Sequence, residues 1–265
     1  MIEDRIDYLD SLYRRGARYM TLTWNNSTSW ATSGKDETEG TIPEYYIGRG
    51  FARVDKGLDS LGKAVVQHME AIGMMVDISH VGEATFWDVM KMAGKPVIAS
   101  HSSAYSLCPH RRNLKDDQLR AIGRNGGVVF INFYSGFLDS TYEHRKNAFV
   151  QRHRIERDSL REAGWVSYEI DTWLSKLYPD EAGTLRPPIS LLIDHIDHVV
   201  QVAGIDHVGL GSDFDGIESA PQGLEGVQDF PKITAALMDR GYSSKDIKKI
   251  LGGNFMRVLK TTSKG

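Results

Sequence analysis

Two histidines carry the strongest chemical signal in this sequence. His80 closes the run Val76-Asp77-Ile78-Ser79-His80, and His101 closes Val97-Ile98-Ala99-Ser100-His101. Each ends a short apolar run of strand character, one strand–helix unit apart, so neighbouring strands would bring both imidazoles within reach of one ion. Neutral imidazole nitrogen is a standard zinc ligand. The plain alternative is two capped, hydrogen-bonded histidines. A second cluster, Gly211-Ser212-Asp213-Phe214-Asp215-Gly216, follows the last apolar run. Its carboxylates could bind metal or move protons, and its glycines permit a close backbone approach or a tight turn. An aspartate there could equally cap the next helix. Arg111-Arg112-Asn113 follows His101 in the same loop. A planar guanidinium matches a carboxylate bidentately, which suits the free C-terminus of a short peptide; the competing reading is a solvated surface pair. His195 and His198 are three apart and share one helix face, which reads as packing against neighbouring helices. His144 and His153 fall in a charged stretch and read as solvated.

The elements that must hold these residues alternate. Strand-like runs at 18–23, 74–79, 97–100, 127–133 and 208–212 each follow a helical stretch: one ending near Gly16, then 61–72, 83–92, 116–122 and 191–202. Gly73 fits a helix C-cap, and Gly94 and Pro96 punctuate the turn before 97. The runs are short and nearly continuously apolar, as parallel strands covered on both faces are. Asn25, His80, His101, Asn132 and Asp213 fall at their C-terminal ends. A parallel barrel places its chemistry there, and so does a doubly wound sheet, so the rhythm predicts an α/β fold without separating the two. A closed barrel needs eight strands, and five of them starting abruptly at Met1 predict a barrel whose first strands are absent. Between about 135 and 188 the rhythm breaks. That stretch, with Arg152, Arg154, Arg157, Trp165 and Trp173, predicts a mostly helical insertion in a single barrel domain spanning 1–265. It either shapes a pocket or a subunit contact, or forms a solvated helical hairpin.

Composition narrows the function classes. At 265 residues the chain suits one large barrel or two small domains. Hydrophobic content of 41% and charged content of 25% are those of an ordinary globular protein. A net charge of −3 gives no reason to expect nucleic acid or an anionic membrane as partner. Cys108 is the only cysteine, which excludes an intrachain disulfide and a thiolate metal cluster. No apolar run approaches the ~20 residues of a membrane span, and the first residues have no signal-peptide pattern. Cytoplasm and periplasm both stay open.

Taken in order, the motifs have a precedent. Arg18-Tyr19-Met20-Thr21-Leu22-Thr23, Val76-Asp77-Ile78-Ser79-His80-Val81, Ser100-His101-Ser102-Ser103-Ala104-Tyr105-Ser106, Arg111-Arg112-Asn113, Gly211-Ser212-Asp213-Phe214-Asp215-Gly216 and Gly252-Gly253-Asn254-Phe255-Met256-Arg257-Val258 resemble the membrane (renal) dipeptidase family of zinc peptidases, peptidase family M19, including its bacterial members. The similarity runs from about Ile2 to the end, apart from the insertion. It implies a (β/α)8 TIM barrel of the metal-dependent hydrolase type with two zinc ions per site, hydrolysing dipeptides and often accepting a D-residue at the C-terminal position. His80 and His101 match two ligands of one zinc. Arg112 matches the arginine holding the substrate carboxylate, and Asp213 matches the general acid/base.

The sequence departs from the family pattern in three places. The His-x-Asp pair and the bridging glutamate that complete the family's metal centre would lie upstream of the region matching Ile2; Glu3 falls too close to Arg18 to be that glutamate. One zinc or none is therefore expected here. Trp24 stands where the family usually has a histidine thought to polarise the substrate carbonyl, and its indole N–H can donate but not gain charge. Trp24 and Asn25 are expected in substrate binding, with Asn25 or Asn26 contributing a donor. Three readings follow: a fragment of an active metallodipeptidase, a non-catalytic binding or scaffold protein completed by an oligomer partner, and a hydrolase using one metal with His80, His101 and Asp213. A small dipeptide is the expected ligand, and a homo-oligomer stays open.

Overall fold

In the computed structural model, which describes residues 2–40 and 56–263, five strands form one parallel sheet: β1 (Tyr19–Thr21), β2 (Met75–Asp77), β3 (Ile98–Ala99), β4 (Val128–Asn132) and β5 (Val208–Gly211). Their spatial order is β1-β2-β3-β4-β5, the order of the sequence. A doubly wound sheet reverses direction at a switch point. Here each strand is added on the same side of the last, which is the winding of a barrel. Pairing runs Tyr19 opposite Met75, Asp77 opposite Ile98, Ala99 opposite Val129 and Asn132 opposite Gly211.

Fourteen α-helices accompany the strands among the described residues. The first four are α1 (Asp7–Arg14), α2 (Gly34–Glu39), α3 (Ser60–Ile72) and α4 (Glu83–Met92). Then come α5 (Asp116–Asn125) and five helices between β4 and the next strand unit: α6 (Ser135–Leu138), α7 (Tyr142–Arg152), α8 (Arg154–Glu162), α9 (Ser167–Leu177) and α10 (Pro179–Leu185). The last are α11 (Ile189–Ala203), α12 (Phe230–Asp239), α13 (Ser244–Lys248) and α14 (Asn254–Ser263). Local chemistry sets their ends. Asp59 accepts from Gly62 N–H to start α3, and Gly73 ends it with a left-handed φ of 82°.

Strand parity splits the sheet into two faces. Val76, Ile78, Val97, Ala99, Val129 and Ile131 pack in the main core with Val65, Val66 and Met69 of α3, Phe86 and Val89 of α4, Leu119 and Ile122 of α5, and Ile193 and Ile196 of α11. Full burial of each of these side chains larger than alanine is worth roughly 1.5–3 kcal/mol. Met75, Ile98, Val128 and Phe130 point the other way and meet Val258, Phe255 and Leu259. α14 is tied to the segments that enter the strands. Arg257 donates to Gly126 O at 2.7 Å, Lys95 to Thr262 O at 3.0 Å, and Asn254 to Val208 O at 2.8 Å. With this helix across the N-terminal ends, the C-terminal ends are left for the site.

The helices α7, α9 and α10 build a core of their own from Tyr142, Phe149, Ile170, Leu174 and Leu185. His153 is not solvated as its charged surroundings suggested. Its ring stacks on Tyr178 at 3.7 Å and bonds to Glu181 at 2.8 Å. The helical excursion is pinned to the loop after β5 by Lys146, which pairs with Asp171 at 2.9 Å and Glu218 at 2.8 Å.

Candidate active site

The tip of β2 delivers His80 and the tip of β3 delivers His101. Because the strands are adjacent, the two imidazoles meet: their Nε2 atoms are 2.8 Å apart and the ring centroids 4.8 Å. Two nitrogens on one tetrahedral zinc sit about 3.3 Å apart, so a small parting of the rings would admit an ion. His80 has a left-handed backbone, φ 68°, as does Asp213 at 57°. Such a conformation costs a non-glycine residue energy and is found where a side chain must be aimed. Burial, the Arg112 charge and His101 together pull the His80 pKa down to about 2. Burial first, then Arg112, also lowers that of His101. Both rings are therefore held neutral, the form that binds metal.

Arg112 is not the solvated arginine that its neighbour is. Arg111 pairs with Glu39 at 3.5 Å near the surface. Arg112 is 7% exposed and donates to His101 O at 3.1 Å. Its guanidinium lies over the Phe137 ring at 5.5 Å, and among the described residues no carboxylate pairs with it. Burial pulls its pKa down to about 10 against the opposing pull of Asp77 and Asp213. The loop that carries it is anchored by α11. His195 accepts from Ala104 N–H through Nδ1 at 3.0 Å and bonds to Leu138 O through Nε2 at 3.1 Å. His198 bonds to Asp116 at 2.8 Å. These two histidines hold protein to protein, as their helical spacing suggested.

Asp213 follows β5. No helix starts beside it, so it caps none; its carbonyl instead accepts from Gly216 N–H at 2.9 Å in a turn. Buried Asn132, at the tip of β4, accepts from Tyr134 N–H at 2.6 Å. That bond turns the amide so that its NH2 donates to Asp213 Oδ2 at 3.1 Å. Gly211 lets β5 come close, since a Cβ there would meet Ser100 O at 2.1 Å.

These side chains share one cavity of about 700 Å³, lined by Trp24, Asn25, His80, His101, Arg112 and Asp213. Trp24 is 67% exposed at its rim. Asn25 spends its carbonyl on Ser33 Oγ at 2.8 Å. The same wall holds residues that sequence reasoning did not single out: Thr23, whose buried hydroxyl has no partner among the described residues, and Tyr134, Phe137 and Glu218. Tyr134 bonds to Glu143 at 2.7 Å and Glu218 at 2.9 Å, so the start of the helical excursion forms part of the pocket. A second cavity of about 460 Å³ shares His80 and Arg112 with the first.

The donor set suits a metal in type. Two neutral imidazoles converge through Nε2, and His80 Nδ1 is buried without a partner. In number it is short of the three protein ligands of a catalytic zinc, because among the described residues no third His, Cys, Asp or Glu joins the pair.

Known proteins resemble this chain over nearly its whole length. An uncharacterized dipeptidase of Schizosaccharomyces pombe is 35% identical over 262 residues, which is 98% of this chain and 50% of that protein. The chain thus spans half the length of that relative. The probable dipeptidase PvdM of Pseudomonas aeruginosa superposes with a TM-score of 0.76 at 27% identity, over 98% of this chain and 66% of the other. A metallo peptidase of Rhodobacter sphaeroides, solved with a phosphinate mimic of the dipeptide L-Ala-D-Ala, gives 0.70 at 24% identity over 98% and 60%; at that identity the likeness is one of fold. The architecture is the TIM-barrel-like α/β fold of these structures. The family model described as membrane dipeptidase (peptidase family M19) matches residues 1–264. With the fold and this match in agreement, the chain belongs to the membrane dipeptidase family of metallopeptidases, M19.

Proposed function

We propose that this chain acts as a zinc-dependent dipeptidase in which Arg112 binds the substrate carboxylate and Asp213 moves protons. The observation that carries the reading is Arg112. A buried guanidinium without a carboxylate partner is expensive unless an anion arrives to pair with it, and Arg112 faces the same cavity as the histidine pair. The free C-terminal carboxylate of a dipeptide fits this demand in charge, planarity and size. Bound there, a dipeptide lies across His80 and His101. These two would hold zinc, which when bound supplies a hydroxide nucleophile near neutral pH. Asp213, its Oδ2 held by Asn132, would take a proton from the attacking water and return it to the leaving amine. Trp24 and Asn25 shape the mouth, and the exposed Trp24 indole offers an N–H donor and an apolar face.

The test is hydrolysis of L-Ala-D-Ala, the dipeptide mimicked in the Rhodobacter sphaeroides structure, by zinc-loaded protein. Its C-terminal amide is the control. Hydrolysis of the acid at least about 100-fold faster than the amide is expected from one lost charge-assisted pairing. Equal rates, or none with zinc bound, would refute the reading. Among the described residues two histidines meet at the site, and the second reading is a binding protein that takes up dipeptides without cleaving them. Saturable binding of L-Ala-D-Ala with no turnover would decide for it.

A further inference from the structure

Asp77 is a carboxylate at the C-terminal end of the otherwise apolar strand β2, and it is fully buried. Its Oδ1 accepts from Ser79 N–H at 3.0 Å and Ser100 N–H at 2.9 Å. These are the residues immediately before His80 and His101. Its Oδ2 accepts from Ser100 Oγ at 2.6 Å and Thr21 Oγ1 at 2.5 Å. One carboxylate thus ties the tips of β1, β2 and β3 together, with two donors on each oxygen.

We infer that Asp77 is the positioning residue of the site, acting through Ser100 to fix the tautomer of His101. The inference rests on the reading of His80 and His101 as metal ligands. The logic is one of proton direction. An ionised carboxylate only accepts, so the single Ser100 hydroxyl proton points at Asp77. The Ser100 oxygen is then left to accept from His101 Nδ1, 2.7 Å away. His101 must carry its proton on Nδ1 and present a lone pair at Nε2. His80 Nε2–H fills that lone pair across 2.8 Å; for both rings to hold one cation, the His80 proton would move to its own Nδ1, leaving a lone pair on each Nε2. Groups that hydrogen-bond a metal-binding histidine fix its tautomer and ring orientation, and their loss typically weakens metal binding about 10–100-fold.

A carboxylate that merely ties strands together makes no claim on the imidazole proton, and Asp77→Asn separates the two roles. The asparagine oxygen must stay on the two backbone N–H groups, so its NH2 faces the Ser100 and Thr21 hydroxyls. Ser100 then accepts from the amide and turns its proton toward His101 Nδ1, which moves the imidazole proton to Nε2 and blocks the ligating lone pair. Long-range ¹H–¹⁵N correlation spectra of the metal-free protein, assigned with a His101→Gln variant, read the tautomer directly. The expected result is Nδ1–H in the wild type and Nε2–H in Asp77→Asn. Zinc affinity, measured by competition with a chelator, should fall about 10–100-fold. Ser100→Ala removes the relay but leaves both backbone bonds to Asp77, so it decides the matter if Asp77→Asn does not fold. It should leave His101 in mixed tautomers with zinc bound about tenfold more weakly. His101 held as Nδ1–H in the folded variants, or zinc affinity unchanged in them, would overturn the inference. A wild type that takes up no zinc would instead refute the metal reading, while the tautomer spectra would still decide the role of Asp77.

Discussion

Replacing Arg112 with methionine should separate activity from stability in opposite directions. Methionine has a comparable stem without charge. In the free protein the guanidinium is buried, and its pKa is drawn from 12.5 to about 10. At 1.36 kcal/mol per unit, that shift corresponds to about 3 kcal/mol against the charged form. Against it stands one charged hydrogen bond to His101 O at 3.1 Å, worth about 1.5–3 kcal/mol. The balance leaves the variant equal to the wild type or more stable by about 1 kcal/mol, a rise of up to roughly 4 °C in Tm. With dipeptide present, a bidentate pairing of about 3–4 kcal/mol is lost, so kcat/KM should drop on the order of 300-fold. The assay compares L-Ala-D-Ala with its C-terminal amide, alongside calorimetric Tm without ligand. The amide, which cannot form the pairing, should lose less than about threefold. A Tm more than about 5 °C lower, or equal losses on acid and amide, would show that Arg112 holds the loop together rather than the substrate.

Other expectations follow from the same geometry. Asp213→Asn keeps the Asn132 contact in shape but cannot carry a proton, so kcat should fall about 10²–10⁴-fold with KM little changed; equal loss in binding of a non-hydrolysable dipeptide mimic would contradict the assignment. Burial draws the His195 pKa from 6.5 to about 4. The folded protein thus resists a proton that the unfolded chain accepts, and this contribution is complete above pH 6.5 and lost as pH falls toward 4. It amounts to about 3 kcal/mol. Unfolding by urea at pH 7 and pH 4.5 should show a smaller acid penalty in His195→Gln than in the wild type, and an identical penalty would rule out His195 as its source. In Gly211→Ala the new Cβ would meet the Ser100 carbonyl at 2.1 Å. Backbone overlap of that kind should cost about 1–3 kcal/mol, and an unchanged Tm would mean that β3 and β5 can part at no cost.

Sequence by itself settled the elements and the chemical alphabet. The helix at 83–92 is found with the predicted bounds, and Gly73 ends α3 as a left-handed cap, because capping, turn chemistry and apolar spacing act over a few residues. The ordered motifs around His80, His101, Arg112 and Asp213 identified the family before any coordinates. Some candidates needed tertiary neighbours before their roles could be weighed. Arg111 and Arg112 are adjacent and identical in type, yet one pairs with Glu39 at the surface and the other is buried at the cavity. His153 sat in a charged stretch, but an aromatic ring from α9's far end stacks on it. Asp77 gave a usable signal, a carboxylate closing an apolar strand, but its four donors come from the ends of three strands. The choice between a barrel winding and a doubly wound sheet lay in strand order alone. The division has one physical cause: local backbone preferences are written in consecutive residues, whereas burial, proton direction and the pairing of charges depend on which distant segments become neighbours, and only the packed sheet decides that.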